Sequence, residues 1–269
     1  MDSKRYFSIG EVADKTGVNT VTLRAWQRRY GLIKPMRTDK GHRLYTEEDI
    51  ESIGHILYWL EKGVSIGKVR PLLGSQQEVE LNFDVPQEAE DLLLRIRKGD
   101  QHRVEALVKE ALKLYPLSYF EGKIAAHIDA VLGDSALVSV ERAVWRNAVI
   151  AVCAALAISL SGKKGVVAIA SAQEADHHIW LAALGLRQQG YSVVIVDQID
   201  HFKSLSATSA EQIIVMGRKK LSNQAIQEIA KLDMPVYSKG LISQLHPELT
   251  LFNSGADASS LLEKRMTNE

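Results

Sequence analysis

The spacing of apolar residues changes along this chain of 269 residues, and each spacing predicts a different architecture. The N-terminal region has short apolar stripes at helical spacing, separated by turn signals. The middle region keeps a helical period almost throughout, whereas the C-terminal region alternates short β-branched runs with helical segments. A polar stretch without helical period reads as a linker. The predicted boundaries are 1–73, linker 74–87, 88–162 and 163–269.

Two short helices open the chain. Ser8 and Glu11 form a capping box at the start of the first helix, and Gly17 ends it. Asn19 or Thr20 then caps a second helix. This arrangement of a short helix, a turn and a basic second helix is typical of a helix-turn-helix. The residues predicted to pack the second helix are Val21, Leu23 and Trp26.

Positive charge is concentrated on and after the second helix. The formal net charge of the chain is zero, yet Thr22 to Arg43 contains seven Lys/Arg and one acid, Asp39. Gly31 ends the helix, and Gly41 lies at the tip of a predicted hairpin. A solvated cationic surface is the alternative for the charge alone. The helix-turn-helix spacing followed by a hairpin wing favours DNA, whose phosphates such a cluster neutralises with release of counterions.

The same residues carry a family resemblance. TLRAWQRRYGL at 22–32, then P-x-R and GHRLY, resemble the MerR family of winged-helix transcription regulators. The RAWxRRYG form has one residue more than the common RYYER form. It is similar to the branch that contains MlrA-like biofilm regulators and cobalamin-dependent light sensors of the CarA/CarH type. The resemblance is specific over 1–73 and weaker over the rest.

The resemblance implies a site on duplex promoter DNA, with the second helix in the major groove. It also implies a homodimer that deforms the promoter for RNA polymerase. Simple MerR proteins pair through a long coiled coil; no heptad run is present here, so the sequence does not place the dimer interface. For Trp26, packing in the core is the alternative to a DNA contact. The candidate DNA contacts are Asn19, Thr20, Thr22, Arg24, Trp26, Arg28, Arg29 and Tyr30, with Arg37, His42, Arg43 and Tyr45 in the wing.

Composition limits the class of protein. A hydrophobic share of 46% and a charged share of 25% are ordinary for a soluble globular protein. One cysteine, Cys153, excludes a disulfide framework or a cysteine-based zinc site within one chain, and we expect it to be buried. The N-terminus lacks the apolar core of a signal peptide. The longest apolar run, 148–160, is too short to span a membrane. With the resemblance, this implies a cytoplasmic bacterial protein.

The two later regions predict a helical bundle followed by an α/β domain. Four helical segments lie between 88 and 162, and the fourth is apolar on most sides. The C-terminal region predicts a doubly wound, Rossmann-like parallel sheet. The resemblance makes this domain cobalamin-binding-like. The predicted strands are 165–170, 192–196, 211–216 and 235–237, and the predicted helices are 176–189, 221–232 and 258–265.

The loop after the first strand is the place for a ligand, because ligands bind at the carboxyl ends of such strands. Cobalamin-binding relatives carry acid-x-His-x-x-Gly there. This chain has Asp176, His177 and His178, but Trp180 and Leu181 stand where glycine belongs. The family's later Ser-x-Leu and Gly-Gly positions are also replaced. We therefore expect no bound cofactor, with His177 and His178 a structural or solvated pair at a helix N-terminus and vestigial as ligands.

Other functions stay open at this point. An anionic ligand such as a nucleotide could bind the loop 217–220, and a regulatory protein could dock on the C-terminal half. An enzyme could use Asp176, His177 and His178 as an acid–base group, but no nucleophile elbow or phosphate-binding glycine loop accompanies them. The sequence favours a transcriptional activator of the MlrA type, acting without catalysis. The alternative is a cobalamin- or light-responsive repressor of the CarH type.

Overall fold

The computed structural model describes residues 5–73 and 85–251, and it divides the chain into two compact units, 1–152 and 153–269. Three separate domains were predicted. In the structure, 1–73 and 88–152 belong to one compact unit, and the division between the units falls at 152–153, within a helix. Residues 74–84 of the predicted linker lie outside the described residues.

The N-terminal part of the first unit is a helix-turn-helix with a small hairpin. The capping box of the first helix is confirmed, since Ser8 N donates to Glu11 Oε2 at 2.7 Å and Glu11 N donates to Ser8 Oγ at 3.3 Å. A second capping box, Thr46 with Asp49, begins the longest helix of this part. The elements are α1 Ile9–Thr16, α2 Thr20–Ala25 with a π-helical turn Trp26–Tyr30, β1 Met36–Arg37, β2 Arg43–Leu44, α3 Glu47–Glu61 and α4 Ile66–Val69 with a 3-10 turn Arg70–Leu72.

The hairpin β1–β2 is the predicted wing. Its strands are antiparallel, with Met36 opposite Leu44 and Arg37 opposite Arg43. Gly41 lies at the tip with φ +81°, a conformation that residues with a side chain rarely adopt. The prediction of a glycine-tipped hairpin is therefore confirmed.

The bundle follows with the four predicted helical segments. Asp100 caps the second of them by accepting from Arg103 N at 3.1 Å, and Pro116 precedes the third. The π-helical segment Phe120–Ala125 interrupts the third segment. The elements are α5 Gln87–Arg97, α6 Gln101–Leu114, α7 Leu117–Tyr119 continuing through that segment into α8 Ala126–Leu132, a 3-10 turn Ala136–Val138, and α9 Ser139–Ile158.

Buried hydrogen bonds join the helix-turn-helix to the bundle. The indole of Trp26 donates to the carbonyl oxygen of Leu114, at the end of α6, at 2.7 Å. The backbone N–H of Ile66 donates to the hydroxyl of Tyr115 at 3.2 Å, and this hydroxyl donates to Glu88 of α5. Burial and the neighbouring Glu88 carboxylate raise the pKa of Tyr115, so the hydroxyl keeps the proton that it donates.

In its described residues the second unit contains a sheet of five parallel strands, β3 Val166–Ala170, β4 Ser192–Val196, β5 Gln212–Val215, β6 Val236–Ser238 and β7 Thr250–Leu251. Their order in the sheet is β4-β3-β5-β6-β7. The four predicted strands are confirmed, and the two-residue β7 was missed. The predicted helix 258–265 lies outside the described residues. The helices of this unit are α10 His177–Gln188, a 3-10 helix Phe202–Ala207, α11 Asn223–Ile229 and α12 Leu241–Leu245.

Both faces of this sheet are covered, as the apolar runs predicted. Val167 and Ile169 of β3 pack in one cluster with residues of α10. Ala168 and Ala170 point to the opposite face and pack with the 3-10 helix, α11 and α12. Among the helices of residues 5–73 and 85–251, none is both long enough and apolar enough to cross a bilayer.

Removing one hydroxyl tests the connection between the two parts of the first unit. Tyr115→Phe leaves the Ile66 N–H and a Glu88 oxygen without this partner, so we expect the free energy of unfolding to fall by about 1–3 kcal/mol. Urea titration followed by circular dichroism measures the change. The control is Tyr58→Phe on α3, whose side chain is 53% exposed. Equal stabilities of the two variants would contradict a buried connection.

Candidate nucleic-acid interface

One face of α2 and of the π-helical turn that continues it projects its side chains into solvent. Val21, Arg24 and Arg28 recur at spacings of three and four residues, which places them on one side of a helix. Val21 is 51% exposed, and both arginines are exposed. The opposite side of the helix is buried, with Leu23 and Trp26 both 0% exposed. Because Leu23 and Trp26 pack in the core, the side chains of Arg24 and Arg28 point away from it.

The start of α2 is held by Asn19. Its side-chain oxygen accepts hydrogen bonds from Val21 N at 3.0 Å and Thr22 N at 2.9 Å. Asn19 is thus the N-cap, which decides between the two residues that the sequence left open. Thr20 is the first residue of the helix and is half-buried. A capped helix N-terminus presents its first turn in a fixed orientation.

The wing carries a second group of cations beside this face. Arg37, Lys40 and His42 are exposed. Arg43 Nε donates to Oε1 of Gln27, in the π-helical turn after α2, at 2.7 Å, which ties the wing to the second helix. Asp39 is the single acid of the hairpin. The exposed side of α2 and the wing together form a cationic surface.

The hydroxyl of Tyr45 lies in the electrostatic field of both cationic elements. Burial raises the pKa of its hydroxyl, while the charges of Arg43 and Arg24 act in the opposite direction. One arginine comes from the wing and the other from α2. Cationic groups from both elements therefore act on the same buried hydroxyl.

The structure corrects three of the predicted DNA contacts. Thr22, Trp26 and Tyr45 are all 0% exposed. Trp26 is turned toward Leu114, and the backbone of Tyr45 pairs with that of Phe7 at 2.8 and 2.9 Å. They are core residues in this structure and do not face a ligand. Val21 was predicted to pack and is exposed instead; its helical phase with Arg24 and Arg28 was the signal that could have found it.

The last two residues of the π-helical turn contact other elements. Arg29 forms an ion pair with Glu110 of α6, and its guanidinium carbon lies 5.8 Å from the centre of the Tyr30 ring. Tyr30 is half-buried, and a side-chain carbon at Gly67 would lie 3.7 Å from its ring. The predicted surface residues therefore divide into exposed side chains, paired side chains and core residues.

The α/β unit has its own candidate site. The strand order reverses at β3, and the crevice lies at the carboxyl ends of β3 and β5. Gln173, after β3, spans the two loops: its side-chain oxygen accepts from Arg218 N at 3.1 Å, and its backbone N donates to Ser171 Oγ at 3.1 Å. The Gln173 side chain also lies against Gly217. The Gln173 side chain thus bridges the two loops at this edge of the sheet.

The predicted histidine pair begins α10. Asp176 is the N-cap, and its Oδ1 accepts from His178 N at 3.0 Å and Ile179 N at 3.2 Å. His177 is buried and His178 is half-buried, with ring centres 4.1 Å apart. Their prediction as a pair at a helix N-terminus is confirmed. Trp180 stands where cobalamin-binding relatives have glycine, so the residues present do not fit the corrin arrangement.

Comparison with known proteins agrees with this architecture. Residues 7–76 match the family described as MerR HTH family regulatory protein. The HTH-type transcriptional regulator MlrA of Escherichia coli is 35% identical over 195 residues, which cover 71% of this chain and 79% of that protein. MlrA of Salmonella typhimurium is 34% identical over 203 residues, or 73% of this chain and 82% of the relative. The chain belongs to the MerR family. The predicted family and its DNA-binding, transcription-regulating character are confirmed.

A further relative of this MerR-family protein is the HTH-type transcriptional repressor CarH of Myxococcus xanthus. It is 27% identical over 218 residues, covering 73% of this chain and 72% of CarH. Among solved structures, the methanol:cobalamin methyltransferase complex MtaBC of Methanosarcina barkeri matches 79% of this chain and 93% of that chain at 14% identity. Its TM-score of 0.30 is too low to assign a shared arrangement.

The exposed arginine of α2 gives a test of the interface. We expect Arg24→Ala to weaken binding to a selected operator by about 1–3 kcal/mol if its guanidinium reads a base edge. Fluorescence anisotropy with the operator and with a mixed-sequence duplex measures the difference. An equal loss on both duplexes would instead make Arg24 a phosphate contact.

Thr22→Val is the matched control on the same helix. The hydroxyl of Thr22 is buried and lacks a hydrogen-bond partner among the described residues, so replacing it by a methyl group leaves DNA affinity unchanged. A loss of operator affinity in this variant, at unchanged stability, would show that Thr22 faces DNA after all.

Proposed function

We propose that this protein is a promoter-binding transcriptional activator of the MlrA type, which acts as a homodimer with RNA polymerase. The observation that carries the proposal is the exposed cationic face of α2 beside the wing. It occurs in a chain that shares 34–35% identity with MlrA regulators over about four-fifths of their length. The expected process is control of biofilm or curli genes.

In this proposal the exposed face of α2 enters the major groove. Arg24 and Arg28 contact guanine edges or phosphates, which suit the planar guanidinium. Val21 offers an apolar contact for a thymine methyl group. The wing cations Arg37 and His42 contact the backbone beside the groove. Two copies on a palindromic site supply the discrimination that one short helix lacks.

The α/β unit acts without cobalamin in this proposal. The Gln173 side chain lies across the crevice, and Trp180 replaces the glycine of the binding motif. Asp176 accepts two backbone hydrogen bonds at the start of α10, which supports a structural role and not acid–base catalysis. A nucleotide at 217–220 or a regulatory protein stays a prediction.

A second candidate is a cobalamin- or light-responsive repressor. The observation in its favour is the similarity to CarH along 72% of that protein, which reaches beyond the helix-turn-helix. His177 also follows β3 at the start of α10, at the position where the resemblance places a cobalt ligand.

One experiment separates the two candidates. Transcription is reconstituted with RNA polymerase on a promoter selected by the full chain, with and without adenosylcobalamin, in darkness and after illumination. We expect the protein to increase the amount of transcript, and we expect adenosylcobalamin and light to leave that amount unchanged. Loss of transcripts, or a light-dependent response with a bound cofactor spectrum, would contradict the activator and support the repressor.

A further inference from the structure

Arg29, at the end of the second helix, forms an ion pair with a residue of the bundle. Its partner is Glu110 of α6. Both side chains remain accessible, at 50% and 41% exposure, so the pair is exchangeable with solvent and other ions. Exposed pairs of this kind are weak. A phosphate can therefore replace the carboxylate without a large cost.

The pair is held in place by a neighbouring buried contact. Trp26 and Arg29 are three residues apart on one helical segment, and Glu110 and Leu114 are four residues apart on α6. Residues four apart are neighbours on an α-helix, so Glu110 lies beside Leu114 on the surface of α6. The hydrogen bond from Trp26 to Leu114 at 2.7 Å holds this part of α6 against the π-helical turn, which also carries Arg29, and Glu110 forms its ion pair there.

Arg29 borders the exposed cationic face. It follows Arg28, and Gln27 before them is bonded to the wing through Arg43. The wing therefore lies on one flank of this helical segment and α6 on the other. A guanidinium group binds a carboxylate and a phosphate through the same N–H donors. N–H groups of Arg29 that donate to Glu110 are not available to a DNA phosphate.

We propose that Glu110 competes with DNA phosphate for the guanidinium of Arg29, so that docking of the bundle lowers the DNA affinity of the helix-turn-helix. The proposal rests on the DNA interface proposed above. It makes the bundle a regulator of DNA binding, because any movement of α6 that separates Glu110 from Arg29 adds one cation to the surface. A ligand or partner that shifts the bundle acts through this contact.

The test is Glu110→Gln in the full chain, with a mixed-sequence DNA duplex as the probe. We expect the variant to bind about two- to five-fold more tightly, the range set by an exposed ion pair. The slope of log K against log salt also steepens by about 0.9, the value for one added phosphate contact. Fluorescence anisotropy at several salt concentrations measures both.

Two further variants make the result specific. Glu121→Gln removes the same charge from the segment Phe120–Ala125 of the bundle, and we expect it to have a smaller effect. Arg29→Ala weakens binding by itself. In the Arg29→Ala background, Glu110→Gln has no more effect than Glu121→Gln, because the competitor has lost the group for which it competes.

Three results would overturn the competition. Unchanged or weaker binding by Glu110→Gln would mean that Glu110 is neutral or positions Arg29 for phosphate. Equal gains in DNA affinity from Glu110→Gln with and without Arg29 would mean that the effect comes from the change in net charge and not from competition for Arg29. An Arg29→Ala variant with normal affinity would remove Arg29 from the interface, while Arg24→Ala still reports separately on the proposed DNA-binding surface.

Discussion

The hydrogen bond from the Trp26 indole to the Leu114 carbonyl is the constraint on which the first unit depends. A buried indole N–H needs an acceptor, and the last turn of α6 has carbonyl oxygens without helical partners. This match fixes the rotation of α2 about its axis. With Trp26 inward, Arg24 and Arg28 point outward and Arg29 meets Glu110. The packing of the core thus decides which charges are exposed.

In each unit, the residues that stabilise the fold differ from the residues of the candidate site. In the first unit, apolar and hydrogen-bonded residues hold the helix-turn-helix, and the cations of the second helix and the wing remain exposed. In the second, β3 and its neighbours are covered on both faces, and Gln173 crosses the crevice at their carboxyl ends. The side chain of Gln173 in the loop after β3 is thus hydrogen-bonded to the backbone of the loop after β5.

Local signals predicted most elements, and tertiary contacts decided the rest. The Ser8 capping box, the turn at Gly41 and the β-branched strands depend on residues close in sequence. The exposure of Val21 and the burial of Thr22, the reverse of what was predicted, do not depend on residues close in sequence. Hydropathy assigned valine to the core and threonine to the surface, but the partner that orients the helix is 88 residues away from Trp26. The bridge formed by Gln173 could likewise not be predicted from the sequence, because its partner Arg218 belongs to another loop.

Hydrogen exchange of the Trp26 indole proton measures whether the bundle holds the second helix. The proton is identified in nitrogen-resolved NMR spectra by its loss in Trp26→Phe. Because this N–H is buried and bonded to Leu114, it exchanges far more slowly than an exposed indole in the full chain. Exchange as fast as that of a free indole would mean that α6 does not dock on the second helix.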